Sequence, residues 1–160
     1  MKKLFLGAIL GTSLFFSGCF NNDVSCSDSQ VKEMVKNATQ GNVIIDMMAY
    51  DVLKKDNKPV TPMSFAMAKL TMTMGLAAAG ENPKIKKMID NYKEKYKNVD
   101  FELKDIRTDS KNKEIQKVTC SATAVYKFKD YNITANINYI VQKTDDGKKL
   151  FVEVKKFEEQ

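Results

Sequence analysis

Residues 118–142 read VTCSATAVYKFKDYNITANINYIVQ, and this stretch decides the fold. In its first half Val118, Cys120, Ala122, Ala124, Tyr126 and Phe128 alternate with Thr119, Ser121, Thr123, Val125 and Lys127. In its second half Tyr131, Ile133, Ala135, Ile137, Tyr139 and Val141 alternate with Asn132, Thr134, Asn136, Asn138, Ile140 and Gln142. A period of two sends successive side chains to opposite faces of a strand. Each half therefore reads as a strand with one apolar and one mostly polar face, and a hairpin joins them near Asp130.

Working outward, Asp146-Gly147 is a hairpin signal, and Leu150 to Val154 form a last strand behind it. On the other side Val99, Phe101 and Leu103 alternate with charged residues. The four runs make an antiparallel meander whose apolar face needs a cover and whose polar face meets water.

The cover lies upstream. Ser27 and Gln30 have capping-box spacing, and Val31, Met34, Val35 and Ala38 share one helical face, with Gly41 as the stop. Residues 43–55 read as a further helix. Asp56 to Pro59 is a break, and Thr61-Pro62 starts a helix that ends at Gly80. Its Met63, Met67, Leu70 and Met74 form one stripe, with Phe65, Met72 and Leu76 opposite. A helix apolar nearly all round is expected to be buried or docked on a partner. Asn82-Pro83 opens the next helix, whose face is Ile85, Met88, Ile89, Tyr92 and Tyr96. Helices first and strands afterwards define an α+β fold: N-terminal helices packed on one face of a four-stranded antiparallel C-terminal β-meander.

The chain opens with MKKLFLGAILGTSLFFSGCF. Lys2 and Lys3, a 13-residue mostly apolar run from Leu4 to Phe16, and the small Ser17 and Gly18 have the order of a secretory signal peptide, too short for a good membrane span. Phe16-Ser17-Gly18-Cys19 resembles the lipobox of bacterial lipoproteins. That resemblance implies cleavage before Cys19, lipidation of its thiol and acylation of the new amino group. Phe16 departs from the Leu that the pattern prefers. Several acyl chains anchor stably where one is marginal. Phe20 follows Cys19 where the family's inner-membrane signal would place Asp, which implies the outer membrane. The expected organisation is a signal peptide over 1–18, a short lipid-anchored tether over 19–26 and a single α+β domain over 27–160.

Composition fits one globular domain of ordinary make-up, neither disordered nor fibrous. The chain has 160 residues, 43% apolar and 29% charged, with net charge +6 and no histidine. Removing residues 1–18 takes away Lys2 and Lys3, so +6 becomes +4. Arg107 is the single arginine, and lysine lacks the guanidinium fork favoured for phosphate and bases, so no nucleic acid is expected as partner. Without histidine the commonest general base, the commonest zinc ligand and every Ser-His or Cys-His pair are missing. With Cys19 taking lipid, Cys26 and Cys120 remain as a disulfide pair in an oxidising compartment, closing a loop of 94 residues (120 − 26).

Other constellations are weaker. Met63, Met67 and Met74 share one helical face, and thioethers bind Cu(I), but a helical methionine stripe is more often core or partner surface. Ser29-Gln30-Val31-Lys32 has SxxK spacing without its companion motifs. No cofactor motif, metal set or phosphate-cradling loop stands out. Asp130-Tyr131-Asn132-Ile133-Thr134 resembles the extended acceptor sequon of bacterial N-glycosylation, making Asn132 a candidate modification site; Asn37-Ala38-Thr39 lacks the preceding acid. Thr119, Ser121, Thr123, Asn136 and Asn138 form an uncharged hydrogen-bonding patch on the polar sheet face, a candidate platform for an envelope protein or glycan. The expectation is a non-enzymatic lipid-anchored envelope lipoprotein, held to the membrane and acting by binding or assembly. A phage- or plasmid-type exclusion or inhibitor lipoprotein is the alternative, and a metal-handling protein a remoter one.

Overall fold

The computed structural model describes residues 24–160, so the signal-like segment, Cys19 and most of the tether lie outside the described residues. Three helices precede four strands: α1 (Ser29–Lys55), α2 (Pro62–Ala79), α3 (Pro83–Lys97), β1 (Asp100–Asn112), β2 (Lys117–Lys127), β3 (Asn132–Lys143) and β4 (Leu150–Glu159). The strands form one antiparallel sheet in the order β1-β2-β3-β4, the meander that the alternating runs specify.

The β2–β3 ladder runs without interruption from Lys117↔Gln142 to Lys127↔Asn132. Its inner face carries Val118, Cys120, Ala122, Ala124, Tyr126, Ile133, Ala135, Ile137, Tyr139 and Val141, all buried. Helix α1 lies on this face and contacts β1, β3 and β4, while α2 and α3 pack mainly on α1. Tyrosine hydroxyls tie the layers together. Tyr126 reaches Thr39, Tyr139 donates to the Cys26 carbonyl at 2.8 Å, and Tyr96 of α3 donates to the Lys36 carbonyl. All three rings are at most 1% exposed, so each hydroxyl needs such a partner. Burial raises the pKa of Tyr126 and Tyr96 and keeps them neutral.

Four local expectations need correction. Gly41 does not end a helix: α1 runs through it as one element of 27 residues. A helical glycine costs about 1 kcal/mol relative to alanine. The buried stripe Val35, Thr39, Val43, Ile44, Met47 and Met48 continues across it, and packing outweighs that cost. The cap of α1 is Asp28, whose carboxylate accepts from the Gln30 backbone N–H at 2.8 Å, rather than a Ser27–Gln30 box. Helix α2 starts on a Thr61–Ser64 capping box, yet only Ala68 is buried. One side docks on α1, and Met63, Met67, Leu70 and Met74 stay exposed because nothing among the described residues covers them. Finally, β4 continues past Val154 to Glu159. A bulge opposite Asn138/Tyr139 shifts the alternation, so Phe157 rather than Lys156 returns to the core side and the period of two is lost from sequence.

Cys26 and Cys120 are joined by a disulfide, S–S 2.05 Å, which pins the entry of α1 to the middle of β2. Replacing both cysteines by serine should cost about 2–4 kcal/mol of unfolding free energy, read from urea titrations against the oxidised protein. Reduction of the wild type should reproduce most of that loss.

Candidate functional site

The polar sheet face collects the five residues singled out as a platform. Thr119, Ser121 and Thr123 stand on β2, and Asn136 and Asn138 on β3, with Ser121 opposite Asn138 and Thr123 opposite Asn136. An unbroken ladder makes this arrangement rigid. Two of the five are already engaged: Ser121 donates to Asp109 at 2.9 Å, and the Gln160 side chain donates to Asn136 at 2.7 Å. Thr123 and Asn138 complete an uncharged centre. Charged pairs frame it, Lys127 at the end of β2 with Glu102 of β1 at 3.2 Å on one side and Lys156 with Glu158 of β4 at 2.7 Å on the other. The Lys127 ammonium lowers the pKa of Glu102, and Glu102 raises that of Lys127. Such exposed pairs contribute little stability, but they set a fixed pattern of charge around a neutral centre.

At one end of the sheet a pocket of about 290 Å³ opens where the C-terminal part of α1, the start of α2 and the ends of β3 and β4 meet. Tyr50, Phe65 and Tyr131 supply its aromatic wall, and Asn132, Thr134, Glu159 and Gln160 its polar rim. Tyr131 is sandwiched, with ring centroids 3.7 Å from Tyr50 and 4.6 Å from Phe128. Asn132, the sequon asparagine, is the exposed first residue of β3 and pairs with Lys127 across the ladder. Thr39 of the second sequon is buried and bonded to Tyr126. Ser29 is exposed on the first turn of α1.

Behind this pocket lies a feature that the sequence reading missed. Asp46 of α1 is fully buried, with Lys69 Nζ of α2 at 2.6 Å from its carboxylate. The same ammonium bonds Glu159 at the end of β4. One cation thus serves two carboxylates from different elements. The contact to Asp46 is an ion pair without hydrogen-bond alignment, and neither Asp46 oxygen has a directed hydrogen bond. Burial pushes the Asp46 pKa up from 3.8 to about 6, and Lys69 opposes that rise without cancelling it. The available signal was that Asp46 is the one charge in residues 42–50 and Lys69 the one charge in α2. A lone charge in an apolar helix implies a buried partner, though not which one.

Glu159, the pocket carboxylate, is neutralised by Lys69. Among the described residues no group of three or more Asp, Glu, Cys or His is placed to hold a metal ion. Comparison with protein-family models, curated proteins and solved structures finds no match to this chain.

Two outcomes follow for the buried network. Lys69→Met leaves Asp46 buried without its counter-charge and should cost about 3–5 kcal/mol, whereas Asp46→Leu with Lys69→Met should restore most of that in the same urea titration. The pH dependence has a defined sign. Because the folded pKa of Asp46 exceeds its ordinary value, the native state holds the extra proton between pH 3.8 and about 6. Its contribution to stability is complete below pH 3.8 and is lost as pH rises through about 6. Wild type should therefore lose stability relative to Asp46→Asn across that window; a constant difference would contradict the assignment.

Proposed function

We propose that this chain is a non-enzymatic, lipid-anchored lipoprotein of a bacterial cell envelope that acts by binding through its rigid polar sheet face. The observation that carries the anchoring is cysteine pairing. Cys26 and Cys120 are bonded to each other, which leaves Cys19 as the unpaired cysteine at the end of the lipobox-like run Phe16-Ser17-Gly18-Cys19. An odd cysteine in an exported chain needs a chemical destination, and thioether lipidation supplies one. The absence of Asp at position 20 favours the outer membrane. The disulfide suits an oxidising compartment outside the cytoplasm.

For the binding role, the support is the neutral patch of Thr123, Asn136 and Asn138 on an uninterrupted ladder, with charges held at its border. Hydroxyls and amides offer donors and acceptors to a glycan or a protein backbone without the desolvation cost of a charge.

Cys19→Ser should abolish incorporation of labelled fatty acid and move the protein from the membrane to the soluble exported fraction. Persistence of label in that variant would refute the anchoring reading. Substituting Thr123, Asn136 and Asn138 together by alanine should leave stability within about 1 kcal/mol while removing capture of envelope partners by the intact lipoprotein. Unchanged capture would refute the role of this face.

A further inference from the structure

The outward side of α2 belongs to none of the features above. Helix α2 has one charged residue, Lys69, and that charge is turned inward onto Asp46 and Glu159. What remains outside is neutral and mostly apolar: Met63, Met67, Leu70 and Met74 are 79%, 59%, 53% and 64% exposed, and the exposed Thr71 and Thr73 beside them turn their hydroxyls to helix carbonyls. Four large apolar side chains along one helix face are more than the scattered exposure of an ordinary surface. Methionine is the side chain that adapts to an irregular apolar partner.

The surroundings say what kind of partner. Exposed lysines stand on both flanks: Lys54, Lys55 and Lys58 where α1 ends, and Lys84, Lys86 and Lys87 on α3. Asp56, paired with Lys58 at 3.2 Å, and Glu81 are the acids between these limits, with Asp90 just beyond, so lysine stays in excess. Lys58 borders Met67 and Thr71 along one groove, and Lys86 borders Leu76 and Gly80 along another. Apolar side chains flanked by lysines form the pattern of a surface that rests at a lipid–water boundary, its apolar stripe among acyl chains and its ammonium groups among anionic headgroups. A second copy of the chain fits less well, because a two-fold contact through α2 would bring the lysine rims of both copies together. The layer order also agrees. The sheet lies on one side of α1, with α2 and α3 packed on α1, so resting on α2 leaves the polar sheet face away from the lipid.

We propose that α2 docks on an anionic lipid surface, with Met63, Met67, Leu70 and Met74 entering the headgroup–acyl boundary and the α1 and α3 lysines contacting the headgroups. This rests on the anchoring reading for its setting. The five residue steps from Cys19 to Val24 span at most about 18 Å, so an anchored domain stays within reach of the bilayer.

The chain contains no tryptophan, so Met67→Trp introduces a single emitter on the docking stripe, and Lys104→Trp introduces one on the polar sheet face. The full lipidated proteins are reconstituted into vesicles of equal parts phosphatidylglycerol and phosphatidylcholine containing brominated acyl chains. The Met67→Trp protein should show a blue-shifted emission and severalfold stronger quenching than the Lys104→Trp protein. The excess quenching should fall in phosphatidylcholine alone, and on adding Lys84→Glu, Lys86→Glu and Lys87→Glu. Leu70→Trp is a second reporter on the same face if Met67→Trp folds poorly. Equal quenching of the two faces overturns the proposal. So does a blue shift of the Met67→Trp protein that grows with protein concentration and ignores phosphatidylglycerol, which assigns the stripe to a second copy. The anchor is read separately from the mass of the N-terminal peptide. An unacylated Cys19 refutes the anchoring reading, while quenching of the unacylated chain by the same vesicles still decides the docking.

Discussion

The whole arrangement depends on covering one apolar sheet face with one helix. Helix α1 has 27 residues, about 40 Å of rod; its stripe from Val31 to Met48 shares one core with the inner face of the meander, while Ala49 and Leu53 pack with Ala68 and Phe65 of α2. The polar atoms trapped in that contact are matched: Tyr126 with Thr39, and Tyr139 with the Cys26 carbonyl. An unmatched hydroxyl there would cost about 1–3 kcal/mol, so these bonds select one registration of helix on sheet where apolar packing alone would tolerate several. The Cys26–Cys120 disulfide acts at the same place, where the helix begins. Helices α2 and α3 are then added to α1 rather than to the sheet.

The Asp46–Lys69–Glu159 network is a different kind of contact. It places a carboxylate in a fully buried part of α1 opposite a lysine from the second helix layer, and that lysine also pairs with Glu159 of the last strand. Desolvation offsets much of the Coulomb attraction of such a pair, so its contribution to net stability is small. Its effect is on orientation, together with the inward apolar side of α2, where Ala68 is buried and Phe65, Met72 and Leu76 are half-buried against the core. The lysine and these apolar residues share the inward side of α2, and the methionine stripe is left outside. The exposed stripe and the buried charge are therefore two results of one contact.

Two faces with different chemistry are presented, one by the sheet and one by α2. The sheet presents hydroxyls and amides framed by ion pairs on a ladder that holds them still. The helical layer presents thioethers and lysines on flexible side chains. Fixed hydrogen-bonding groups serve recognition of a defined partner, and flexible apolar groups serve a surface without defined shape. Under the anchoring and docking proposed above, one face would turn towards the bilayer and the other away from it.

The α+β class, the meander, the polarity of its faces and the starts of α2 and α3 were legible from sequence alone. They rest on local rules: alternation in residues 118–142, Thr61-Pro62 and Asn82-Pro83 as helix starts, and Asp146-Gly147 as a turn. The five polar sheet residues could be placed on one face for the same reason, since a regular strand fixes the side of every side chain. Tertiary structure decided the rest. Gly41 reads as a stop because its local preference is weak for helix, and only the continuous stripe on either side of it, once packed on the sheet, carries α1 through. Strand β4 reads as too short because a bulge breaks the period that defines it. Asp46, Lys69 and Glu159 are separated by 23 and 90 residues along the chain, so their meeting depends on how α2 folds back along α1 and where β4 ends. Local pattern determines which face a residue occupies; long-range packing determines what that face meets.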